Sequence, residues 1–215
     1  MDVADNRIYN YSTVKFKFRD LIQKHLNMGE LEKLHEQQKY EVFNRDNDQS
    51  SLFHKKFYEL PENHEVFKQY RELIFDISHQ LFDDETLIYQ TKPTFRVHLC
   101  NNLAVGEFHK DSDYNHPIEE VNFLVPLTAM YGNNSTWIES GIDKNDFHPI
   151  KLRIGEMFCF RGGLLKHGNV INNTSQTRVS FDFRVIPKSQ FKPNQSAAIN
   201  TGKRFDIGDY YSIMD

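Results

Sequence analysis

The stretch GEFHKDSDYN, residues 106 to 115, places His109 and Asp111 two positions apart. An imidazole nitrogen and a carboxylate oxygen both suit first-row transition metals. In extended chain, residues two apart project to the same side, so these two side chains converge with little adjustment of the backbone. Alone, the pair also reads as part of an ordinary polar loop, because His-x-Asp arises often by chance. A second histidine changes the balance. His167 stands in GGLLKHGNV, directly after a glycine-containing turn and ahead of another strand candidate, where a barrel can bring it beside the first pair.

Shortly after His167 comes TRVSFDFRV, with Arg178 and Ser180. Its alternation is clean: Val179, Phe181, Phe183 and Val185 form one face, and Arg178, Ser180, Asp182 and Arg184 form the other. With the apolar face packed under helices, Arg178 and Ser180 look into the body of the protein. A buried guanidinium needs an anion. A ligand carboxylate with a bidentate fit supplies one, and so does a protein carboxylate such as Asp182 or Glu156; the residues leave both open.

Other polar residues compete for the same space. Arg96 and His98 share the polar face of TFRVHLC, from which they reach a ligand or face solvent. Asp113 and His116 follow the His-x-Asp pair, in a loop that is either a substrate contact or simply solvated. Asn122 faces opposite to Phe123 in its strand and is a pocket-lining candidate. The lone Trp137, with Glu139 and Ser140, reads first as packing. His25, His35, His54, His64 and His79 fall in a helical region and read as surface or helix-packing residues.

These side chains need a scaffold, and the hydrophobic periodicity describes one. Residues 1–86 read as mainly helical. Val14, Phe18, Leu21, Ile22 and Leu26 recur at helical spacing, Gly29 offers a break, and Leu31, Leu34 and Val42 continue the pattern. From Pro61, suited to a first helical turn, the series Val66, Tyr70, Leu73, Ile77 and Leu81 lies on one stripe. From about residue 87 the period becomes two. TFRVHLC, EEVNFLVPLTAM, WIES, GEMFCF, GNVINN and RVSFDFRVIP are strand candidates separated by turn signals such as YGNNS and RGG. Residues 188–215 are rich in polar and turn residues and read as irregular structure wrapping the body, docked by the two tyrosines of GDYY or frayed. The expected architecture is one α+β domain over 1–215: an antiparallel barrel or jelly roll across 87–187, its outer face covered by the N-terminal helices.

Composition narrows the classes. With 39% hydrophobic residues and 18 phenylalanines, the chain can bury a largely aromatic core, which argues against disorder. A net charge of −4, from 30 acidic and 26 basic residues without a basic block, gives nucleic-acid binding no electrostatic support. The only two cysteines, Cys100 and Cys159, lie in separate apolar runs and read as buried free thiols. The N-terminus lacks a charged start followed by an apolar stretch, and no run of about 18 apolar residues occurs. The expectation is a soluble, cytoplasmic protein with a small-molecule substrate and no membrane partner; nothing in the sequence fixes an oligomeric state.

The ordered set His109-x-Asp111, His167, Arg178-x-Ser180 resembles the iron(II)- and 2-oxoglutarate-dependent dioxygenases. The stretches EFHKDSDYNHPIEEVNFLVPLT, STWIES and LLKHGNVINNTSQTRVSFDFRV are similar in particular to the branch that includes the StrG-type proteins of streptomycin biosynthesis. The resemblance covers roughly residues 94 to 187 and implies a double-stranded β-helix with His109, Asp111 and His167 holding iron(II). It further implies that 2-oxoglutarate chelates the metal through its C1 carboxylate and keto oxygen, O2 takes the remaining position, and Arg178 and Ser180 meet the distal carboxylate. Arg96 is a further candidate for the keto acid. Trp137 is placed near the mouth of the barrel. Halogenating relatives replace the ligand carboxylate with a small residue, whereas this chain keeps Asp111, so the resemblance implies hydroxylation or a related oxidation. Two rival classes remain: a cupin-like site with His98 completing a three-histidine set, and a non-catalytic jelly roll that captures a carboxylate or sugar.

Overall fold

The computed structural model describes residues 6–44, 47–104, 107–193, 196–199 and 202–214, so the first five residues and parts of the tail lie outside the description. Among the described residues the strands are β1 (Arg7–Asn10), β2 (Leu87–Gln90), β3 (Thr94–His98), β4 (Val121–Pro126), β5 (Trp137–Ile138), β6 (His148–Pro149), β7 (Glu156–Phe160), β8 (His167–Gly168), β9 (Arg178–Pro187) and β10 (Tyr211–Ile213). The helices are α1 (Phe18–Leu26), α2 (Leu34–Gln37), α3 (Leu52–Tyr58) and α4 (Glu65–Leu81). Every strand pairing within the two sheets is antiparallel.

The larger sheet runs β1-β7-β4-β9-β2-β10, and the smaller β6-β5-β8. The long strand β9 organises the larger one. One of its edges pairs with β4, while the other takes β3 along Arg178 to Asp182 and β2 along Val185 to Pro187. Its apolar face behaves as the alternation requires: Val179, Phe181, Phe183 and Val185 share one buried cluster with Phe18, Ile22, Phe57, Tyr70 and Leu73 of the helices. Phe18 meets Phe181 edge-on at 5.0 Å, Phe57 stacks on Phe95 at 4.4 Å, and Tyr70 meets Phe183 at 5.2 Å. Aromatic burial of this kind is worth about 0.5–1.5 kcal/mol per ring pair beyond the area removed from water. A second cluster, including Leu124, Ile138, Phe158 and Phe160, joins residues of both sheets.

The helical periodicity was informative in its stripes and less so at its ends. All five stripe residues of α4 are buried. That helix starts at Glu65, with His64 accepting from the Val66 N–H, and Pro61 belongs to the preceding turn, where its carbonyl accepts from the His64 N–H. Val14 and Val42, read as part of the helical pattern, are exposed outside any helix. Asn27 and Gly29 take left-handed backbone at φ 51° and 81° and end α1 where a break was expected. In GNVINN only Gly168 is in a strand. Five elements match no segment named as a candidate: β1, β2, the short α3 capped by Ser51, β6, and β10 within the tail.

Candidate metal centre

His109 and His167 are brought together by the backbone itself. They form an isolated antiparallel bridge in which each N–H donates to the other's carbonyl at 2.9 Å. Their rings therefore project to one side, with centroids 4.8 Å apart. The crossing is close because Gly168 has no side chain: a Cβ there would sit 3.0 Å from the Glu107 carbonyl oxygen and the Phe108 Cα. Asp111 opens a short 3-10 turn, Asp111–Tyr114, so the two-apart convergence is reached by a turn rather than by continued strand.

The hydrogen bonds fix which atoms face inward. Nδ1 of His109 lies 2.8 Å from the Glu107 carbonyl oxygen, and Nδ1 of His167 lies 3.0 Å from that of Leu165. A carbonyl only accepts, so each Nδ1 carries the proton and each Nε2 keeps a lone pair. Both lone pairs point at Asp111 Oδ1, at 3.7 Å from His109 Nε2 and 3.5 Å from His167 Nε2. One ion at roughly 2.0–2.2 Å from each donor spans separations of this size.

The other oxygen of Asp111 is tied down. Oδ2 accepts from Asn122 Nδ2 at 2.6 Å and from Arg184 Nη2 and Nε at 3.1 and 3.2 Å. Gly162 completes the cradle: its N–H donates to Asn122 Oδ1, its carbonyl accepts from the Asp111 N–H, and a Cβ there would lie 2.7 Å from Asp111 Oδ2. Burial pushes the Asp111 carboxyl up, but the Arg184 guanidinium beside it more than offsets this and holds it well below the usual carboxylate range. Burial also lowers the His167 imidazole, keeping it neutral as a ligand must be. Arg184 faces three carboxylates, Asp111, Asp182 and Glu120. That local excess of negative charge is one a divalent cation at Oδ1 would offset.

Two cavities meet at this cluster. The smaller, about 50 Å³, is lined by His109, Asp111 and His167 and reaches Arg178. Arg178 is almost wholly buried and makes no ion pair among the described residues. Its Nη1 donates to Thr136 Oγ1 at 2.9 Å and its Nη2 to Asn169 Oδ1 at 3.3 Å. Its Nε, and the hydroxyl of Ser180 on the same strand face, are buried without a hydrogen-bond partner. Burial, with Arg96 nearby, lowers the Arg178 guanidinium to about 10. A dicarboxylate answers this arrangement: one end at the metal-binding atoms, the other against an unpaired arginine. The protein carboxylates weighed as partners are engaged elsewhere, Asp182 with Arg96 and Arg184, and Glu156 with the Arg153 N–H.

The larger cavity, about 780 Å³, opens from His109 and Asp111 toward Asp48, Tyr58, Tyr114 and the tail residues Lys203 and Tyr210. Arg96 lines both cavities but commits Nε to Asp182 at 2.8 Å and Nη1 to Asp48 at 3.4 Å. His116 also lines the larger one, with Nδ1 2.8 Å from Glu120 Oε2, while Asp113 accepts from the Lys110 N–H within its own turn. Asn122 does line the smaller cavity, as expected. His98 does not join the metal-binding cluster: its two ring nitrogens lie against the carbonyls of Asn134 and Asn102, at 3.2 and 3.0 Å, which removes the three-histidine alternative. Trp137 lines neither cavity; it sits in β5 opposite Gly168, and Glu139 is turned to the backbone of Lys166 and Asn145. The roles of Arg184 and Gly162 carried no signal in the sequence, since both act through contacts between distant segments.

No protein-family profile matches the chain. The streptomycin biosynthesis protein StrG of Streptomyces griseus is 39% identical over 207 residues, covering 95% of this chain and 96% of that protein. Among solved structures, the nickel complex of the non-heme monooxygenase ThoJ superposes with a TM-score of 0.52 at 12% identity, covering 91% of this chain and 80% of that one. The non-heme alpha ketoglutarate dependent epimerase SnoN from nogalamycin biosynthesis gives 0.52 at 11% identity, covering 98% and 95%. At such identities the two structures speak for a shared fold. No helix among the described residues is long and apolar enough to cross a membrane.

Proposed function

The chain belongs to the family of the streptomycin biosynthesis protein StrG, and from that premise we propose that it is an iron(II)- and 2-oxoglutarate-dependent oxygenase. Its substrate is a small polar molecule of the amino acid or sugar and aminocyclitol type. The observation that carries this reading is the convergence of His109 Nε2, His167 Nε2 and Asp111 Oδ1 beside a cavity that ends on the unpaired Arg178. Two imidazoles and one carboxylate on one side of a metal suit non-haem iron(II), with adjacent positions left open. In this reading the two sheets are the double-stranded β-helix and the helices cover its outer face, in keeping with the fold shared with ThoJ and SnoN.

When bound, iron(II) with 2-oxoglutarate and O2 supplies the oxidising power to attack a substrate C–H bond, the keto acid leaving as succinate and CO2. The chain's own residues hold and orient. His109 and His167 offer Nε2 while their Nδ1–H groups, anchored on the carbonyls of Glu107 and Leu165, stop the rings from swinging. Asp111 offers Oδ1 because Asn122 and Arg184 hold Oδ2. Arg178 and Ser180 take the distal carboxylate of the keto acid, giving the guanidinium Nε and the hydroxyl the partners they lack. Arg96, at the junction of the cavities, has Nη2 left for the keto acid or the substrate. The larger cavity receives the substrate, and retention of the Asp111 carboxylate favours hydroxylation or a related oxidation over halogenation.

Anaerobic addition of iron(II) and 2-oxoglutarate to the purified protein is expected to give a weak metal-to-ligand charge-transfer band in the visible. No band, together with iron binding by Asp111→Ala as tight as in the unaltered protein, overturns the reading.

A further inference from the structure

The C-terminal segment touches the site twice. Ala198, Ile199, Lys203 and Tyr210 line the larger cavity, and β10 extends the sheet from the free edge of β2. An apolar cluster of Ile88, Ile186, Ala198, Phe205, Tyr210 and Tyr211 buries the segment against β2 and β9. Hydrophobic burial does not account for one contact. The wholly buried Tyr211 donates its hydroxyl to Oε1 of Glu120, a carboxylate that is itself only 1% exposed.

Glu120 is placed to pass this contact inward. Its Oε2 lies 2.8 Å from His116 Nδ1, and the His116 ring packs on Phe205 and Tyr210 of the same segment, with centroids 4.6 and 5.6 Å away. Oε2 also lies 4.0 Å from Arg184 Nε. Arg184 Nε and Nη2 are the groups that grip Asp111 Oδ2. Asp111 and Glu120 thus share the Nε side of a guanidinium whose Nη1 is held by Asp182. A buried carboxylate that loses a donor turns more strongly to its remaining cationic partner, because the desolvation cost persists. Without the Tyr211 hydroxyl, Glu120 competes harder for Arg184, and Asp111 is held less firmly.

We propose that Tyr211 is a positioning residue for Asp111, acting through Glu120 and Arg184, so that docking of the C-terminal segment sets the geometry of the metal-binding carboxylate. This rests on the reading of Asp111 as a metal ligand. The segment that walls the larger cavity is then also part of the support of the metal site.

The test is a Co(II) titration of the full chain, following the visible absorption of the bound ion; cobalt is a fair stand-in, since N/O sites take it at least as well as iron(II). Tyr211→Phe, confirmed as folded by circular dichroism, is expected to bind Co(II) about tenfold more weakly and with altered band intensity, the lower end for loss of an outer partner of a metal ligand. In a Glu120→Gln background the same Tyr211→Phe change is expected to have no further effect. Unchanged affinity and spectrum in Tyr211→Phe overturns the inference, and so does an equal loss in both backgrounds. Should Tyr211→Phe not fold, Glu120→Gln alone, which removes the charge that competes for Arg184, is expected to bind Co(II) at least as tightly as the unaltered protein, and a tenfold loss there overturns the inference too. Unaltered protein that binds no Co(II) at all overturns the metal reading instead.

Discussion

Asp111 divides its two oxygens between different duties: Oδ1 looks at two imidazole lone pairs, and Oδ2 is held by an amide and a guanidinium. Arg178 shows the opposite condition, a buried cation whose Nε still wants a partner. A charged hydrogen bond of this kind contributes about 1.5–3 kcal/mol, or roughly 10- to 150-fold in a binding constant. Arg178→Ala is therefore expected to raise the 2-oxoglutarate concentration for half-maximal succinate release by that factor, with iron binding intact. Unchanged keto-acid dependence would remove Arg178 from the role. At this scale the sequence was readable where chemistry followed local spacing, as in His109-x-Asp111 and the alternating face of β9. It was silent on Arg184, whose partner Asp111 lies 73 positions away in the chain.

At the scale of elements, the site depends on loops and strands approaching more closely than ordinary side chains permit. The RGG turn was legible as a turn, but not the reason for its first glycine. A Cβ on Gly162 would sit 2.6 Å from Asn122 Nδ2 and 2.7 Å from Asp111 Oδ2, inside contact distance of the two groups that orient the carboxylate. Gly162→Ala is expected to cost about 1–3 kcal/mol in urea unfolding, the usual range for overpacking, and to weaken Co(II) binding in the same variant. A variant as stable and as metal-competent as the unaltered protein would show that the cradle yields freely. The strands β1 and β10 were illegible for a related reason. With four and three residues they carry no usable periodicity, and they are strands because β7 and β2 present open edges to them. Long strands and α4 declared themselves through repetition, which short elements lack.

The whole molecule carries its buried histidines as neutral groups, and that sets its response to acid. Burial, with Arg96 beside His54 and Arg178 beside His98, lowers both imidazoles to about 3, and burial lowers His167 as well. Once the pH falls below about 6.5, the unfolded chain binds protons at these positions and the folded chain does not. Unfolding therefore takes up protons, and stability falls with falling pH until the folded-state values are reached. Asp111 and Asp182, held below the ordinary carboxylate range, contribute in a lower window, since their stabilisation is lost only as the pH falls past the ordinary carboxylate value toward their own. His79, paired with Asp84 on the surface and raised, works in the opposite direction and is screened by solvent. Each fully neutral buried histidine contributes a slope of about 1.4 kcal/mol per pH unit. In the presence of chelator, urea midpoints at pH 7.5, 6.5, 5.5 and 4.5 are expected to hold level over the first interval and then fall steeply. His54→Gln is expected to reduce the slope by about one proton. Stability that stays level from pH 6.5 to 4.5 would mean that these rings become charged in place, against the hydrogen bonds and burial that surround them. Because burial keeps His167 neutral in the folded chain through this window, apoprotein stability declines before protons compete with a metal for that ring.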